Sequence, residues 1–505
     1  MRFTWLPAIC LFFLSACSSP ADPTLAAADR FQGFLDALPE PGPGFAIVAV
    51  SSDEVLISHV SGARRASTAA PMRADTPVYI ASQTKAFMGL LAARLDADGV
   101  LSLDSTLADH WPDLVLPGDL DPADWTMRDL LSHEFPLRAP PVAVMEAYVG
   151  EVYARDYPRL LALYGEVREP GFSYSNLGYN IYSAILMDVT GRSWQAWLDT
   201  AVFDPLGMAN SSAITSDLEA STLSWGHIWQ GEALGWYEMP PKPDAIMQSA
   251  GGLFVSPEDM AVWLQMILRR EGPAGSGLSA EIIDEGLAPA AALDRDPEAR
   301  MPCEAYALGW GVCEFQGTRV YQHGGGYTGT RSFMAVAPEL DVAIAVFANS
   351  TRETSWLRRE TVFQFLQEVM QDPGAADAAQ ERIEAFESRL AQHHANALSR
   401  EAEARANPRW GGWDWSPAQS EISAFAGEYT TGEPYLDLAI VEDRHGLHLV
   451  WGHWRMQLEP ATENVFAGHP GPFQTMEPVT FLRGLDGAVT GLEYDGHVYQ
   501  RVGID

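Results

Sequence analysis

Residues 82–95 begin with Ser82-Gln83-Thr84-Lys85 and continue as an apolar run that ends at Leu95. Because apolar side chains occupy nearly every side of residues 84–95, the sequence predicts a helix buried at the centre of a domain. The three-residue spacing places Ser82 and Lys85 on one helical face, within hydrogen-bonding reach, and puts Ser82 at the positive helix end. A desolvated lysine beside that end loses its proton readily, so its amine can accept the serine proton. The alternative is a helix-capping serine followed by a surface lysine.

The composition describes an acidic globular protein. The chain has 505 residues, 47% of them hydrophobic, and 32 basic against 67 acidic residues give a net charge of −35. This length corresponds to roughly two to four domains. The negative charge disfavours electrostatic binding to nucleic acid or anionic lipid, so we expect no nucleic-acid partner. The sequence contains two lysines, Lys85 and Lys242, which sets Lys85 apart because a lysine, unlike an arginine, can lose its proton.

Two further motifs carry groups suited to proton transfer and to binding a carbonyl. Tyr174-Ser175-Asn176 supplies a phenol that can relay protons near a lysine and an amide that can hold a carbonyl. His323-Gly324-Gly325-Gly326 lies between strand patterns, where glycines allow close backbone approach and present N–H groups to an oxyanion. We expect His323 to offer a ligand a charge or a hydrogen bond. Taken alone, the first motif also fits a turn asparagine beside a packed tyrosine, and the second a glycine-rich hairpin with an exposed histidine.

Together and in this order, Ser-x-x-Lys, Tyr-x-Asn and His-x-Gly resemble the serine β-lactamase and penicillin-binding protein superfamily, in particular its class C-like branch. That branch also includes esterases and D-amino-acid peptidases. The resemblance covers about residues 40–370. It implies a mainly antiparallel sheet flanked by helices, a helical subdomain, an active site between them, and a reaction without metal or cofactor. Supporting segments are residues 127–133, 205–208, 249–253 and 308–311.

The resemblance also implies a role for each motif residue. Ser82 is expected to be the acylated nucleophile, with Lys85 and Tyr174 as the general base and acid. Deacylating water would be activated near Tyr174, because this branch has no separate glutamate for that step. The other implied roles are substrate binding by Asn176, His323 and Gly325, and an oxyanion hole formed by the N–H groups of Ser82 and Gly326.

Two departures from the family pattern bear on the substrate. Glu134-Phe135-Pro136-Leu137 stands where relatives usually have Thr-Ser-Gly-Leu, in a loop that borders their active site. The third motif begins with His323 rather than lysine, which resembles the esterase and peptidase members more than dedicated β-lactamases.

The N-terminus predicts export. Met1-Arg2 precedes an apolar run over residues 3–14, and Leu14-Ser15-Ala16-Cys17 resembles the bacterial lipobox, in which the cysteine is diacylated. We therefore expect a periplasmic lipoprotein anchored to a membrane at Cys17. Ser18 replaces the aspartate of an inner-membrane retention signal, so the outer membrane is favoured. The alternative is an ordinary cleaved signal peptide.

Two cysteines remain once Cys10 and Cys17 are assigned to the signal and the lipobox. Cys303 and Cys313 either pair in an oxidising compartment, which would stabilise the fold by about 2–3 kcal/mol, or remain buried thiols. A zinc site is disfavoured, because no Cys-x-x-Cys or paired histidine spacing accompanies them.

The patterns predict an α+β fold followed by a small β domain. Strand patterns at both ends of residues 43–371, with helix patterns between them, indicate one sheet covered by helices. Short strands separated by turn pairs after residue 422 predict an antiparallel barrel or sandwich, which resembles the lipocalin-like barrel of some of these hydrolases. The predicted segments are a lipoprotein signal peptide (1–17), a tether (18–42), the β-lactamase-like domain (43–371), a helical connector (372–417) and the barrel (418–505).

We expect an exported serine hydrolase that cleaves an amide or ester through an acyl-enzyme on Ser82. An esterase or a D-amino-acid or peptidoglycan peptidase is favoured over a dedicated β-lactamase. Its partners would be a small-molecule or peptide substrate and, through Cys17, a membrane. Two alternatives remain: a non-catalytic penicillin- or envelope-binding sensor lipoprotein, favoured by the altered loop at residues 134–136, and a structural anchor whose barrel binds envelope components.

Overall fold

A nine-stranded antiparallel sheet with helices on both faces forms the main domain of the computed structural model, which describes residues 22–230, 235–469 and 476–503. Strands from the two ends of the domain meet at its centre, because Gly44–Val50 pairs with both Val55–Arg65 and Val342–Ala348. The predicted α+β fold is confirmed. In spatial order the strands are Ala291–Ala292, Cys303–Tyr306, Gly311–Phe315, Thr318–Tyr327, Thr330–Ala337, Val342–Ala348, Gly44–Val50, Val55–Arg65 and Ala70–Pro71.

The strand Gly44–Val50 is buried along its whole length, because both faces of the sheet are covered. Phe45 and Ile47 point into a core on one face, whereas Ala46 and Val48 join the larger core on the other. The alternation of the strand therefore divides its apolar side chains between two separate layers.

Residues 23–37 form a helix, Pro23–Ala37, where the sequence predicted a tether. The Asp22 side chain caps its first turn by accepting a hydrogen bond from the Thr24 N–H (2.8 Å). Phe31 is buried and packs on Phe365, with ring centroids 5.2 Å apart. The tether prediction is wrong for these residues. Their alanine-rich composition suggested a linker, but Phe31, Phe34 and Leu35 form an apolar face that packs against the sheet domain. Residues 18–21, and Cys17 before them, lie outside the described part of the chain.

The central helix, Thr84–Ala97, is buried on almost every side, as its apolar run predicted. Phe87 stacks on Trp263 with ring centroids 3.9 Å apart. At Gly89 a Cβ would come within 1.9 Å of the Leu308 carbonyl oxygen, so only glycine allows this close approach. The central helix is therefore packed firmly on all sides, which fixes the position of its N-terminal end.

Further helices cover the sheet and build the helical subdomain. Within the described ranges, none of them is both long and apolar enough to cross a membrane. The helices are Leu107–His110, Met127–Leu131, Pro140–Val144, Tyr157–Tyr164, Leu177–Thr190, Trp194–Leu198, Asp204–Leu206, Gln248–Gly251, Pro257–Arg269, Ala280–Leu287, Thr354–Val369, Ala375–Arg405 and Gln419–Ile422, with a π-helical turn at Met145–Val149.

The C-terminal segment is a closed antiparallel barrel, so the barrel prediction is confirmed and the sandwich alternative is wrong. Consecutive strands pair with each other, and the last strand closes on the first, where Tyr429 lies opposite Arg501. Buried aromatic rings fill the interior, for example Phe466 and Phe481, whose centroids are 5.1 Å apart. The strands are Gly427–Thr430, Leu438–Asp443, Gly446–Trp451, Trp454–Pro460, Val465–His469, Glu477–Arg483, Val489–Tyr494 and His497–Arg501.

The barrel packs against the helical subdomain. Arg159 donates hydrogen bonds to both carboxylate oxygens of Glu433, at 2.6 and 3.1 Å. Trp454 meets Tyr148 edge-on, with ring centroids 5.6 Å apart. The barrel therefore contacts the subdomain next to the π-helical turn Met145–Val149.

Cys303 and Cys313 lie opposite each other on two adjacent strands of the sheet and form a disulfide. Of the two states that the sequence left open, the structure therefore has the paired one.

Candidate active site

Ser82 lies in a single 3-10 turn, Ala81–Gln83, that leads directly into the central helix. The preceding residue, Ala81, has a φ of +49°, a left-handed conformation that is strained for any residue other than glycine. The Ser82 side chain is half-buried. The positive end of the helix dipole favours negative charge on the serine oxygen or on a group bound to it.

The amine of Lys85 is completely buried next to the aromatic residues of the site. It donates hydrogen bonds to Asn176 Oδ1 (2.8 Å) and to the carbonyl oxygen of Ala250 (2.6 Å). Its nitrogen lies 4.9 Å from the centre of the Tyr174 ring. The spacing predicted a hydrogen bond between Ser82 and Lys85. In the described part of the chain the Lys85 amine bonds to Asn176 and Ala250 instead, because Ser82 lies in the 3-10 turn and not in the α-helix.

Burial lowers the pKa of Lys85 to about 7, although attraction to the Glu146 carboxylate opposes this shift. A large share of the amine is therefore neutral near pH 7. A neutral amine has two N–H groups and one lone pair. Because Asn176 and Ala250 accept the two N–H groups, the lone pair remains available for a proton.

The side chain of Ser82 interacts with the phenol of Tyr174 and favours its ionised form. Burial raises the pKa of Tyr174 above its ordinary range, and the interaction with Ser82 opposes only part of this rise. The residue still exposes 48% of its surface, so one side of it remains open to solvent. Near pH 7 the site thus combines a protonated phenol with a partly neutral amine, which separates an acid from a base.

The segment that carries Tyr174 is tied to the loop with the unusual sequence Glu134-Phe135-Pro136. Ser173 N–H donates to the His133 carbonyl oxygen (3.0 Å). The Arg168 guanidinium donates to the carbonyl oxygens of His133 (3.0 Å) and Phe135 (2.8 Å). Phe135 itself is buried in the core. The altered loop therefore packs as part of the domain and holds the tyrosine segment in place.

His133 forms one wall of the site. Its ring lies 4.5 Å from the Tyr174 ring and 4.8 Å from the Tyr306 ring, measured between centroids. Its Nδ1 accepts a hydrogen bond from the Ser175 N–H (3.3 Å), so the proton of the neutral ring is on Nε2. Burial, together with the positive charge of Lys85, lowers the pKa of His133 well below its ordinary value. This histidine is therefore neutral.

His323 is buried and neutral, and not a charged group that faces a ligand. Its Nδ1 contacts the Gly324 carbonyl oxygen (2.7 Å), which only accepts, so Nδ1 carries the proton. The hydroxyl of Tyr306 then donates to its Nε2 (3.0 Å). Burial and the charge of Lys85 lower the pKa of His323 to about 3. Both ring nitrogens therefore have partners inside the protein, which favours the hydrogen bond over the charge as the contribution of His323, and its role in substrate binding stays a prediction.

The three glycines after His323 belong to the strand Thr318–Tyr327, and not to a hairpin turn. At Gly325 a Cβ would lie 2.0 Å from the Ile80 carbonyl oxygen. Ser332 Oγ donates to that same oxygen (2.8 Å). Gly325 thus lets the strand approach the turn that carries Ser82, and the roles of the Ser82 and Gly326 N–H groups as an oxyanion hole stay a prediction.

Arg358 holds the peptide group between Gly325 and Gly326. Its guanidinium donates to the carbonyl oxygens of Gly325 and Ser332. The Gly325 carbonyl and the Gly326 N–H belong to one peptide unit. A positive charge on the carbonyl side therefore polarises that N–H and makes it a stronger donor.

Sequence reasoning missed four polar residues that shape the site: Arg168, Arg358, Tyr306 and Glu146. Arg168 and Arg358 bond to backbone carbonyl oxygens, and because every residue has such an oxygen, these contacts produce no recognisable sequence motif. Glu146 had a weak signal, because it is the one acidic residue in an otherwise apolar stretch from Val142 to Val149.

Comparison with known proteins supports the assignment of the fold. An unguisins hydrolase of Aspergillus violaceofuscus is 24% identical over 387 residues, which is 71% of this chain and 67% of that protein. A second one, from Aspergillus campestris, is matched over 56% of its length, so the chain spans only about half to two thirds of these fungal relatives. Penicillin-binding protein 4 of Amycolatopsis lactamdurans is 25% identical over 65% of this chain and 86% of its own.

Solved structures share the architecture at low sequence identity. The octameric penicillin-binding protein homologue from Pyrococcus abyssi has a TM-score of 0.58 and 18% identity, and covers 93% of this chain and 99% of its own. D-amino acid amidase from Ochrobactrum anthropi SV3 has a TM-score of 0.56 and 22% identity, and covers 69% and 99%. A family model described as Beta-lactamase matches residues 31–366. Because this match includes every strand of the nine-stranded sheet, the chain belongs to the Beta-lactamase family.

Proposed function

We propose that this chain is a serine hydrolase that cleaves an amide or ester through an acyl-enzyme on Ser82. The observation that carries the proposal is the state of Lys85. Its buried amine gives both N–H groups to Asn176 and Ala250 and keeps a lone pair for the serine proton. The hydrolase and amidase activities named for similar proteins support a reaction at an amide or ester carbonyl.

The proposed acylation moves one proton and one leaving group. Ser82 Oγ bonds to the substrate carbonyl carbon while its proton passes to the Lys85 amine. The N–H groups of Ser82 and Gly326 hold the negative charge on the carbonyl oxygen. Tyr174 protonates the departing amine or alcohol and regains its proton from Lys85. Deacylation repeats these steps with water in place of the serine hydroxyl.

The surroundings of His323 favour an esterase or a D-amino-acid or peptidoglycan peptidase over a dedicated β-lactamase. A β-lactam substrate carries a carboxylate, which a cation at this position would attract. His323 is neutral, and both of its nitrogens are bonded to Gly324 and Tyr306. The His323 ring therefore offers such a carboxylate no positive charge.

Covalent labelling tests the proposal directly. We expect a fluorophosphonate probe to label the protein on Ser82, as located by peptide mass spectrometry, and Ser82→Ala to remove the label. Lys85→Arg keeps the positive charge but cannot accept a proton, so it should lower hydrolysis of an activated ester by about 10²–10⁴-fold. Lys242→Arg is the matched control and should keep full activity. A folded protein that no probe labels contradicts the proposal.

A substrate panel separates the activities. It consists of p-nitrophenyl esters, D-amino-acid amides and a chromogenic cephalosporin. Turnover of esters or D-amino-acid amides without cephalosporin turnover is the expected result. Rapid labelling of Ser82 without turnover of any substrate would instead support the sensor function, for which the altered loop at residues 134–136 is the supporting observation.

We also propose that the protein is exported and lipid-anchored at Cys17. The support is the sequence Leu14-Ser15-Ala16-Cys17, which lies outside the described residues. Expression in a Gram-negative host with labelled palmitate should give a labelled product, and Cys17→Ser should abolish the label. An unlabelled wild-type product in the soluble periplasmic fraction would show a simple cleaved signal peptide.

A further inference from the structure

Glu146 is a buried carboxyl group for which the proposed reaction has no use. It lies in the π-helical turn Met145–Val149 and is 2% exposed. The hydroxyl of Tyr157 donates a hydrogen bond to its Oε1. Burying a carboxyl group is unfavourable unless another group compensates its charge, so its position calls for a partner.

A chain of contacts leads from Glu146 to the base of the reaction. Asn180 Oδ1 accepts hydrogen bonds from the Ala250 N–H (3.1 Å) and from Ser249 Oγ (3.2 Å). The Ala250 carbonyl oxygen in turn accepts from Lys85. The amide nitrogen of Asn180 interacts with Glu146 and favours its ionised form. Asn180 thus connects the carboxyl group to the backbone that holds the lysine.

A cavity lies beyond the two neighbours of Glu146 and does not reach the carboxyl group itself. The cavity has a volume of about 110 Å³ and is lined by Tyr157 and Asn180. Asn180 Nδ2 and Glu146 Oε2 are both buried, and neither completes a hydrogen bond of normal geometry with a described protein group. The carboxyl group is therefore shielded from solvent, so its charge acts on neighbouring groups with little screening.

Glu146 is the charged group that raises the pKa of Lys85 against the effect of burial. Burial raises the pKa of Glu146 to about 7, and Lys85 in turn lowers it. The histidines and tyrosines near the pair are neutral near pH 7, because burial lowers the pKa of the two histidines and raises those of the tyrosines. They are His133, His323, Tyr174 and Tyr179 around Lys85, and Tyr157 beside Glu146. The Glu151 carboxyl group, whose pKa burial raises, and Tyr435 act on Tyr157.

We propose that Glu146 is a positioning residue that supplies the counter-charge for Lys85. When Lys85 takes up the Ser82 proton, the Glu146 carboxylate offsets the positive charge of the buried ammonium. The counter-charge stays in place while Lys85 passes that proton to Tyr174. This role rests on the proposed hydrolase function.

The two lysines of the chain allow a direct measurement. Labelling lysine with ¹³C at Cε gives two NMR signals, for Lys85 and Lys242, which Lys242→Arg assigns. We expect Glu146→Gln to move the titration midpoint of Lys85 to lower pH by about one unit or more, the size of shift that a nearby opposite charge produces. The Lys242 midpoint should stay in place and serves as the control for folding.

Tyr157→Phe provides a second variant that leaves the carboxyl group in place. It removes the hydrogen bond that favours ionised Glu146, so the Lys85 midpoint should move in the same direction by a smaller amount. If Glu146→Gln disturbs the Lys242 signal and so the fold, Tyr157→Phe still tests whether Glu146 supplies the counter-charge for Lys85. An unchanged Lys85 midpoint in a folded variant overturns the proposal.

The acid limb of the pH profile gives a kinetic readout. In wild-type protein, kcat/KM for an activated ester should fall as Lys85 becomes protonated, and Glu146→Gln should move this limb to lower pH together with the NMR midpoint. A purely structural role would lower the rate and leave the limb unmoved. Labelling at Ser82 without a shift refutes the counter-charge alone, whereas a shift without labelling refutes the hydrolase function and leaves the coupling between the two groups.

Discussion

Replacing Lys85 with methionine should abolish activity and also make the protein more stable at neutral pH. Each pKa unit corresponds to about 1.4 kcal/mol. Lowering the pKa of Lys85 from its ordinary 10.5 to about 7 therefore costs the folded state about 5 kcal/mol of stability at pH 7. Methionine has a similar length and no charge. It leaves the buried Ala250 carbonyl oxygen without a donor, at about 1–3 kcal/mol, whereas the half-buried Asn176 amide can bond to water. A net gain of about 2–4 kcal/mol therefore remains.

The pH dependence carries the sharper test. Below pH 7 the lysine is protonated in both states, so the full cost of burying its charge applies. Between about pH 7 and 10.5 the unfolded chain binds more protons than the folded one, so wild-type stability rises with pH. The stability difference between Lys85→Met and wild type should therefore shrink by about 1.4 kcal/mol for each pH unit in this window.

Urea unfolding monitored by tryptophan fluorescence measures this difference. Wild type and Lys85→Met are compared at pH 7.5 and 9.0, where the predicted change in the difference is about 2 kcal/mol. Lys242→Met serves as the control, because Lys242 is also buried with a pKa lowered to about 8, yet it should keep hydrolytic activity. Equal pH slopes for wild type and Lys85→Met would show that the amine of Lys85 is charged in the folded protein, and the proton-transfer reasoning would then be refuted.

Three further outcomes follow from particular contacts. Arg358→Met should lower kcat by about 10–100-fold with KM nearly unchanged, because a weaker oxyanion donor affects the transition state more than the ground state. Steady-state kinetics checks this, with Arg358→Lys as the comparison variant that should keep part of the rate. Gly325→Ala should destabilise the domain by about 2–4 kcal/mol in thermal unfolding, because its Cβ would overlap the Ile80 carbonyl, and Gly326→Ala, whose Cβ would meet Arg331 at 3.5 Å, should unfold near the wild-type temperature. Cys303→Ser should cost about 2–3 kcal/mol, and a reducing agent should lower the wild-type midpoint to that of the variant; a midpoint insensitive to reductant would contradict this.

Apolar periodicity allowed most of the sheet domain and the barrel to be predicted. The buried helix expected from the apolar run at residues 84–95 is the central helix Thr84–Ala97, and the short strands expected after residue 422 form the barrel. The helix Pro23–Ala37 could not be predicted in this way. Its alanines look like linker residues in the sequence, and only the structure shows that they are buried with aromatic rings of the sheet domain. The glycines after His323 failed for a related reason: glycine in sequence indicates a turn, whereas here it permits a strand to approach a neighbouring backbone.

The sequence predicted which residues belong to the candidate site better than it predicted the hydrogen bonds between them. Ser82, Lys85 and Tyr174 lie close together as the ordered motifs indicated. Their hydrogen bonds differ, because contacts such as that of Lys85 to the Ala250 carbonyl depend on a backbone group that a sequence motif does not display. The neutral state of His323 likewise depends on its burial and on the charge of Lys85, which its own motif does not display.

The pairing of the strand Gly44–Val50 has a consequence for the folding of incomplete chains. Phe45 finds one partner in Ser61 soon after translation, but its other neighbour is Ala348. A nascent chain that ends before Ala348 therefore presents an apolar strand with one unsatisfied edge, which is a template for aggregation. Chaperones that shield such edges should bind truncated chains of this length and release chains in which the last sheet strand is available to pair. The order of folding is thus set by the C-terminal half of the sheet.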